Sequence, residues 1–154
     1  MPDVFISYST KDQKFADYLH ALLTKEGLDV YQAGLSLQPG QQWTEKIIEN
    51  LKQSQFVLFL ASQAACQSSF VQQEVGHAIV EKKLIPVVWD IRPEQLPGWA
   101  KNFQAINLAS ATIERIQEQF IAFARKIKVD KKKGLIVAGC LVAAAMALLV
   151  FSKK

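Results

Sequence analysis

With 154 residues, half of them apolar, the chain can hold one compact domain with its appendages and not two full domains. The net charge of +4 is unevenly spread: Met1 to Arg125 carry 11 Lys+Arg against 13 Asp+Glu, whereas Lys126 to Lys154 carry 7 against 1. The folded part is therefore slightly acidic, which argues against a nucleic-acid partner, and the excess lysines flank an apolar run that suits anionic lipid.

Short β-rich runs alternate with longer stretches of helical period, the pattern of a parallel sheet with helices on its faces. Val4 to Tyr8 is the first strand, and the opening MPDVFISY lacks the basic segment of a cleaved secretory signal. A helix is expected from Asp12 to Glu26, with Phe15, Leu19, Leu22 and Leu23 on one face and Gly27 ending it. Leu28 to Tyr31 is the second strand. The loop Gln32 to Gln42 is long for a strand-to-helix connection, and long ordered loops tend to carry function. A helix follows from about Trp43 to Lys52. Phe56 to Leu60 is uninterrupted apolar sequence, suited to a central strand buried on both faces. After the polar stretch Ser62 to Ser69, a helix is expected from Phe70 to Lys82. Leu84 to Trp89 is the fourth strand, and Pro86, which donates no ladder bond, predicts imperfect pairing near its start. A fifth strand, Ala105 to Leu108, and a helix from Thr112 to Lys126 complete the domain.

Gly134 to Phe151 is 18 residues without a charge. As a helix at ~1.5 Å per residue it spans ~27 Å, close to the ~30 Å core of a bilayer. Lys131, Lys132 and Lys133 precede it and Lys153 and Lys154 follow. The alternative is a buried final helix, but the segment has no polar face. The division expected is a domain over 1–128, a basic linker over 129–133 and a transmembrane helix over 134–151. More lysines on the N-terminal side place the domain of this single-pass protein in the cytoplasm. Gly139, Ala143 and Ala147 form a small-residue stripe on which two spans can approach. Cys66, in a polar stretch, and Cys140, in the apolar tail, are too differently placed to bond, which fits a reducing compartment. Cys66 has no Cys or His neighbour at metal-ligand spacing and reads as a loop thiol.

In an open parallel sheet, ligands bind beyond the C-terminal strand ends where the strand order reverses. That rule selects the segments Ser9 to Asp12, Gln32 to Trp43 and Ser62 to Glu74. Between Gln53 and Val80, Glu74 is accompanied by no other acid or base except His77. A carboxylate in such a setting can stabilise a developing cation, although by position alone the plainer reading is a solvated helix glutamate. His77, one helical turn on, shares its face and reads as structural.

Over roughly Asp3 to Lys126 the sequence resembles the Toll/interleukin receptor (TIR) domain family. DVFISYSTKD, Asp3 to Asp12, is similar to the family's first box. LDVYQAGLSLQPGQQW, Leu28 to Trp43, is similar to its second box and flexible BB loop, and SSFVQQEVGHAI, Ser68 to Ile79, to the catalytic segment of members that cleave NAD+. The resemblance implies a flavodoxin-like five-stranded parallel sheet with helices on both faces. It implies an NAD+ glycohydrolase or cyclase with NAD+ as substrate, no cofactor and no metal. Glu74 falls on the catalytic glutamate, which would orient the ribose hydroxyls and stabilise an oxocarbenium-like transition state. Capture by water gives ADP-ribose, and capture by the adenine ring a cyclic isomer.

By the same resemblance Tyr8 and Ser9 line the substrate pocket, while Phe70 and Trp43 stand where aromatic residues can stack on a flat ring. Gln32, Ala33, Gly34, Leu35, Pro39 and Gly40 belong to the BB loop and to homo-oligomeric TIR–TIR association. The chain departs from the family pattern where Ser9-Thr10 replace a basic residue and where Gly34 to Gln38 lack the loop's acidic-basic pair. A two-component receiver would need an aspartate where Ala61-Ser62 stand, and a flavin carrier a glycine-rich loop that Ser9 to Gln13 lack. Nucleoside deoxyribosyltransferases share a segment similar to EVGHAIVEKKLIPVV but fit the BB-type loop less well. The remaining alternative is a non-catalytic TIR adaptor acting by self-association and partner binding, against which Glu74 in its Ser-rich approach argues. Assembly on a bilayer raises the effective concentration of the chains. The expected role is an enzyme of prokaryotic anti-phage immunity or stress signalling.

Overall fold

The computed structural model describes residues 2–34, 45–67 and 83–132. Five parallel strands form one sheet in the order β2-β1-β3-β4-β5: β1 Val4–Tyr8, β2 Val30–Gly34, β3 Phe56–Leu60, β4 Lys83–Val88 and β5 Ile106–Asn107. Both β1 and β3 are buried along their whole length, as their continuous apolar runs require. Alternation then divides their side chains between two cores. Val4, Ile6, Phe56 and Leu58 meet the apolar faces of α1 (Gln13–Lys25) and of the last helix, Ile113–Lys132. Phe5, Val57 and Phe59 turn to the opposite face, where Leu51 of α2 (Glu45–Gln53) and Ala65 of α3 (Gln63–Cys66) cover them. The 3-10 turn Pro93–Gln95 and α4 (Gly98–Lys101) close that second core with Leu96 and Ala100.

The last helix, here α5 (Ile113–Lys132), buries Phe120, Phe123, Ala124 and Ile127. Phe123 meets Phe56 edge to face at 5.9 Å and Phe120 at 6.5 Å. Burying one such ring stabilises the fold by about 1.5–3 kcal/mol. Gly27 ends α1 at φ +92, a left-handed conformation that a Cβ disfavours, and a Cβ there would also approach Lys128 Nζ to 3.3 Å.

Several boundaries differ from those the pattern predicts. β2 runs over Val30–Gly34, not Leu28 to Tyr31, so Gln32, Ala33 and Gly34 belong to a strand where a loop was expected. They pair with Ile6, Ser7 and Tyr8. The cause is at both ends: the Leu28 amide still bonds Leu23 O in the helix cap, and β1 offers partners as far as Tyr8. α3 interrupts the stretch expected to be a polar loop, and the helix expected over Phe70 to Lys82 lies outside the described residues.

Pro86 is tolerated for a geometric reason. Val87 O accepts from Ala61 N at 2.8 Å, which aims the Val87 peptide groups at β3. By alternation the Pro86 nitrogen faces the β5 side, where pairing begins only at Val87. The proline therefore removes no ladder bond.

α5 continues to Lys132, so 129–132, expected as linker, are helical. Its last turn is held by Lys131 Nζ, 3.1 Å from Asp3 Oδ1. Among the described residues no helix is long and apolar enough to cross a membrane, and the span expected over 134–151 lies outside them.

Candidate functional site

The strand order reverses between β1 and β3, and the two strands deliver the chain to opposite faces, β1 to α1 and β3 to α3. Such a reversal point, beyond the C-terminal strand ends, is where open parallel sheets bind ligands. Two of the expected site residues, Tyr8 and Ser9, sit on its β1 side.

Tyr8 is 4% exposed, and its hydroxyl donates to Gln13 Oε1 at 3.0 Å. Gln32 Nε2 lies 3.5 Å from the same oxygen and donates to Asp17 Oδ1 at 2.8 Å, a carboxylate that also accepts from Gln13 Nε2 at 2.8 Å. The amide donors of Gln32 and Gln13 hold the Asp17 carboxyl below its ordinary value. This network ties the end of β2 to the start of α1. Gly34 packs closely beside it: a Cβ there would stand 3.3 Å from Thr10 Cγ2 and 3.4 Å from Tyr8 Oη, so the threonine methyl would have to give slightly.

Ser9 is committed locally. Its Oγ accepts from Lys11 N at 3.3 Å and caps the 3-10 turn Thr10–Asp12 that leads into α1. Ala33, expected among the self-association residues, is instead buried at 5% against the α2 face. Gln32 and Gly34 lie in the last residues of β2. Leu35, Pro39, Gly40, Trp43, Phe70, Glu74 and His77 lie outside the described residues.

The structure adds residues that sequence reasoning did not single out. Ser62 Oγ donates to Asp12 Oδ2 and accepts from Ala65 N at 3.2 Å, so one buried hydroxyl joins the β1 exit to the first turn of α3. Asp90, after β4, accepts from Gln63 N at 3.0 Å. Burial, with the charge of Asp90 added, raises the Asp12 carboxyl above its ordinary value despite the opposing Ser62 hydrogen bond and Lys11 charge. Burial and then Asp90 push the Cys66 thiol up to about 11, so it is a poor nucleophile at neutral pH. Asp12 and Ser62 stood inside segments selected by the reversal rule. Asp90 carried no sequence signal.

Beside this clasp, on the face covered by α1 and α5, a cleft of about 510 Å³ opens between the Thr10–Phe15 segment and Trp89, Leu108 and Ile116. Of the expected site residues that are described, neither Tyr8 nor Ser9 lines it.

A family profile described as TIR domain matches residues 4–122. A probable 2' cyclic ADP-D-ribose synthase of Brachypodium distachyon is 27% identical over 97 residues, covering 61% of this chain and 43% of that protein. The chain thus spans less than half the length of that relative. Among solved structures, the TIR domain of the Toll-related receptor TRR-2 of Hydra magnipapillata superposes with a TM-score of 0.63 at 15% identity, over 83% of this chain and 99% of that one. A TIR-STING receptor of C. gigas in complex with 2',3'-cGAMP gives 0.60 at 18% identity, over 79% and 38%. A flavodoxin-like domain from Synechococcus gives 0.55 at 15%, over 84% and 99%. At these identities the superpositions speak to the fold, which is α/β and flavodoxin-like. The profile covers most of the sequence, from the first strand into α5, and the chain belongs to the TIR domain family.

Proposed function

We propose that the chain cleaves the bond between nicotinamide and ribose in NAD+, as hydrolase or cyclase, once copies of it assemble. The observation that carries this reading is the clasp of Asp12 and Ser62, which joins the exits of β1 and β3 where the strand order reverses, in a TIR-family chain. Similarity to a probable 2' cyclic ADP-D-ribose synthase supports the same chemistry. In this reading Glu74, on the segment that leaves β3, orients the ribose hydroxyls and opposes the positive charge that grows on the ribosyl carbon as nicotinamide departs. Water then yields ADP-ribose, and a nucleophile within the same nucleotide yields a cyclic isomer. Tyr8 and Ser9 border the bound nucleotide, with Trp43 and Phe70 as stacking surfaces.

Assembly enters through the BB loop. Gln32 and Gly34 anchor its root, and Leu35, Pro39 and Gly40 of one subunit complete the pocket of the next. A span over 134–151, with its lysine-rich N-terminal flank on the cytoplasmic side, would confine the domains to a plane and favour that encounter. The role that fits is an effector of prokaryotic anti-phage or stress signalling.

The test is nicotinamide release by the chain clustered on vesicles, with Glu74→Gln beside the parent. Loss of at least ~100-fold in the variant is expected. Equal release from both, or none from the parent under forced clustering, leaves a non-catalytic adaptor. For the anchor, a chain ending at Lys133 should move to the soluble fraction, and continued pelleting with membranes defeats that part.

A further inference from the structure

Lys11, Lys14, Phe15, Trp89 and Ile116 have no part in the reaction above, yet they converge on one opening. The cleft holds about 510 Å³, in the size range of small-molecule sites. Its apolar wall is aromatic: Phe15 and Trp89 meet edge to face with centroids 5.0 Å apart at 71°, and both rings are only partly buried against the core. Leu108 and Ile116 extend that surface. A flat ring laid against it would remove apolar area from water on both partners.

The rim has the opposite character. Lys11 and Lys14 are exposed, and neither makes a salt bridge among the described residues. Among the described lining residues the carboxylate is Asp12, which accepts from the Ser62 hydroxyl, and Asp90, next to Trp89, lies close enough for its charge to act on Asp12. The two lysines at the rim can therefore meet an anion directly, and the positive end of the α1 dipole adds to the same sign. An aromatic wall under a cationic rim selects a flat anion over a neutral ring or a cation.

We propose that this cleft binds a small aromatic carboxylate, its ring against Phe15 and Trp89 and its anionic group between Lys11 and Lys14. The cleft opens on the α1 and α5 side, and among the described residues its lining includes neither Tyr8 nor Ser9. An occupant rests on the Thr10–Asp12 turn, which Asp12 ties to β3 through Ser62. Binding there therefore bears on the joined exits of β1 and β3.

The test uses the full chain in lipid nanodiscs with fluorotryptophan in place of tryptophan, the Trp89 signal being assigned by its loss in Trp89→Phe. Naphthoate is the probe and neutral naphthalenemethanol the control, read by fluorine NMR. A saturable shift of the Trp89 signal by naphthoate is expected, absent in Ile116→Asp. The Lys11→Ser/Lys14→Ser double variant, changed only at exposed positions, should weaken naphthoate about fivefold and leave the alcohol unaffected. A Trp89 signal unmoved by millimolar naphthoate overturns the proposal, as does a shift that survives in folded Ile116→Asp. Unchanged naphthoate affinity in the lysine double variant, or equal affinity of the parent chain for acid and alcohol, overturns it as well.

Discussion

The hydroxyl of Ser62 donates a hydrogen bond to the carboxylate of Asp12, 50 positions earlier in the chain, and so ties the exit of β3 to the exit of β1. The same oxygen accepts from Ala65 N and caps α3. Both bonds are sheltered, with Ser62 1% exposed, and together they hold the two exits side by side at the reversal point.

Removing that hydroxyl should be costly for its size. Ser62→Ala leaves the Ala65 amide without its cap and Asp12 without its donor, a loss of about 1–3 kcal/mol. Thermal unfolding should show a midpoint lower by several degrees, and the Ala65 amide should exchange faster. Ser62→Thr, which keeps the oxygen, should retain most of the stability; an alanine variant as stable as the parent would contradict the clasp.

Asp12 titrates above its ordinary value of 3.8 in the folded chain, chiefly through burial. Across the window from that value up to the raised one, the native state binds more protons than the unfolded state, so stability falls as pH rises. The ionised form is thus a standing cost at neutral pH, relieved on acidification. Asp12→Asn keeps an acceptor for Ser62 and removes that cost. Its unfolding midpoint should equal or exceed the parent's at neutral pH, with the difference narrowing toward pH ~4. A gap that widens on acidification has the wrong sign.

Lys131 and Asp3 connect the last turn of α5 to the start of β1. Asp3, its side chain 3% exposed, also accepts from Asp29 N at 2.8 Å. Among the described residues, Lys131→Ala leaves the buried carboxylate with only that backbone donor and should destabilise by about 1–3 kcal/mol. Lys126→Ala, at an exposed position, should change stability by less than about 0.5 kcal/mol. Ending the chain at Lys128 should reproduce the Lys131→Ala loss.

Cys66 offers a chemical readout. In a Cys140→Ser background, the pH profile of iodoacetamide alkylation should have its midpoint near 11, not at the ordinary thiol value of 9.0. Asp90→Asn should shift that midpoint downward, because the neighbouring negative charge opposes the thiolate.

The central strands β1 and β3 were legible to the residue, since a strand buried on both faces must be apolar throughout, and Val4–Tyr8 and Phe56–Leu60 satisfy that within the chain itself. The apolar face of α1 and the glycine that ends it were legible for the same local reason. The candidate site was legible only as segments. The reversal rule pointed to Ser9–Asp12 and to the stretch after β3, which contain Asp12 and Ser62 without marking either as a partner of the other.

Tertiary structure decided the rest. The edge strand β2 extends to Gly34 because β1 supplies partners that far, which its own half-buried residues do not encode. α5 reaches Lys132 where Asp3, 128 positions away, meets Lys131. The Asp12–Ser62 bond, the Phe15–Trp89 wall and the raised pKa of Asp12 likewise exist only once the strands have paired. Periodicity and capping are properties of neighbours along the chain, whereas burial and charge proximity between distant residues depend on which exits the sheet brings side by side.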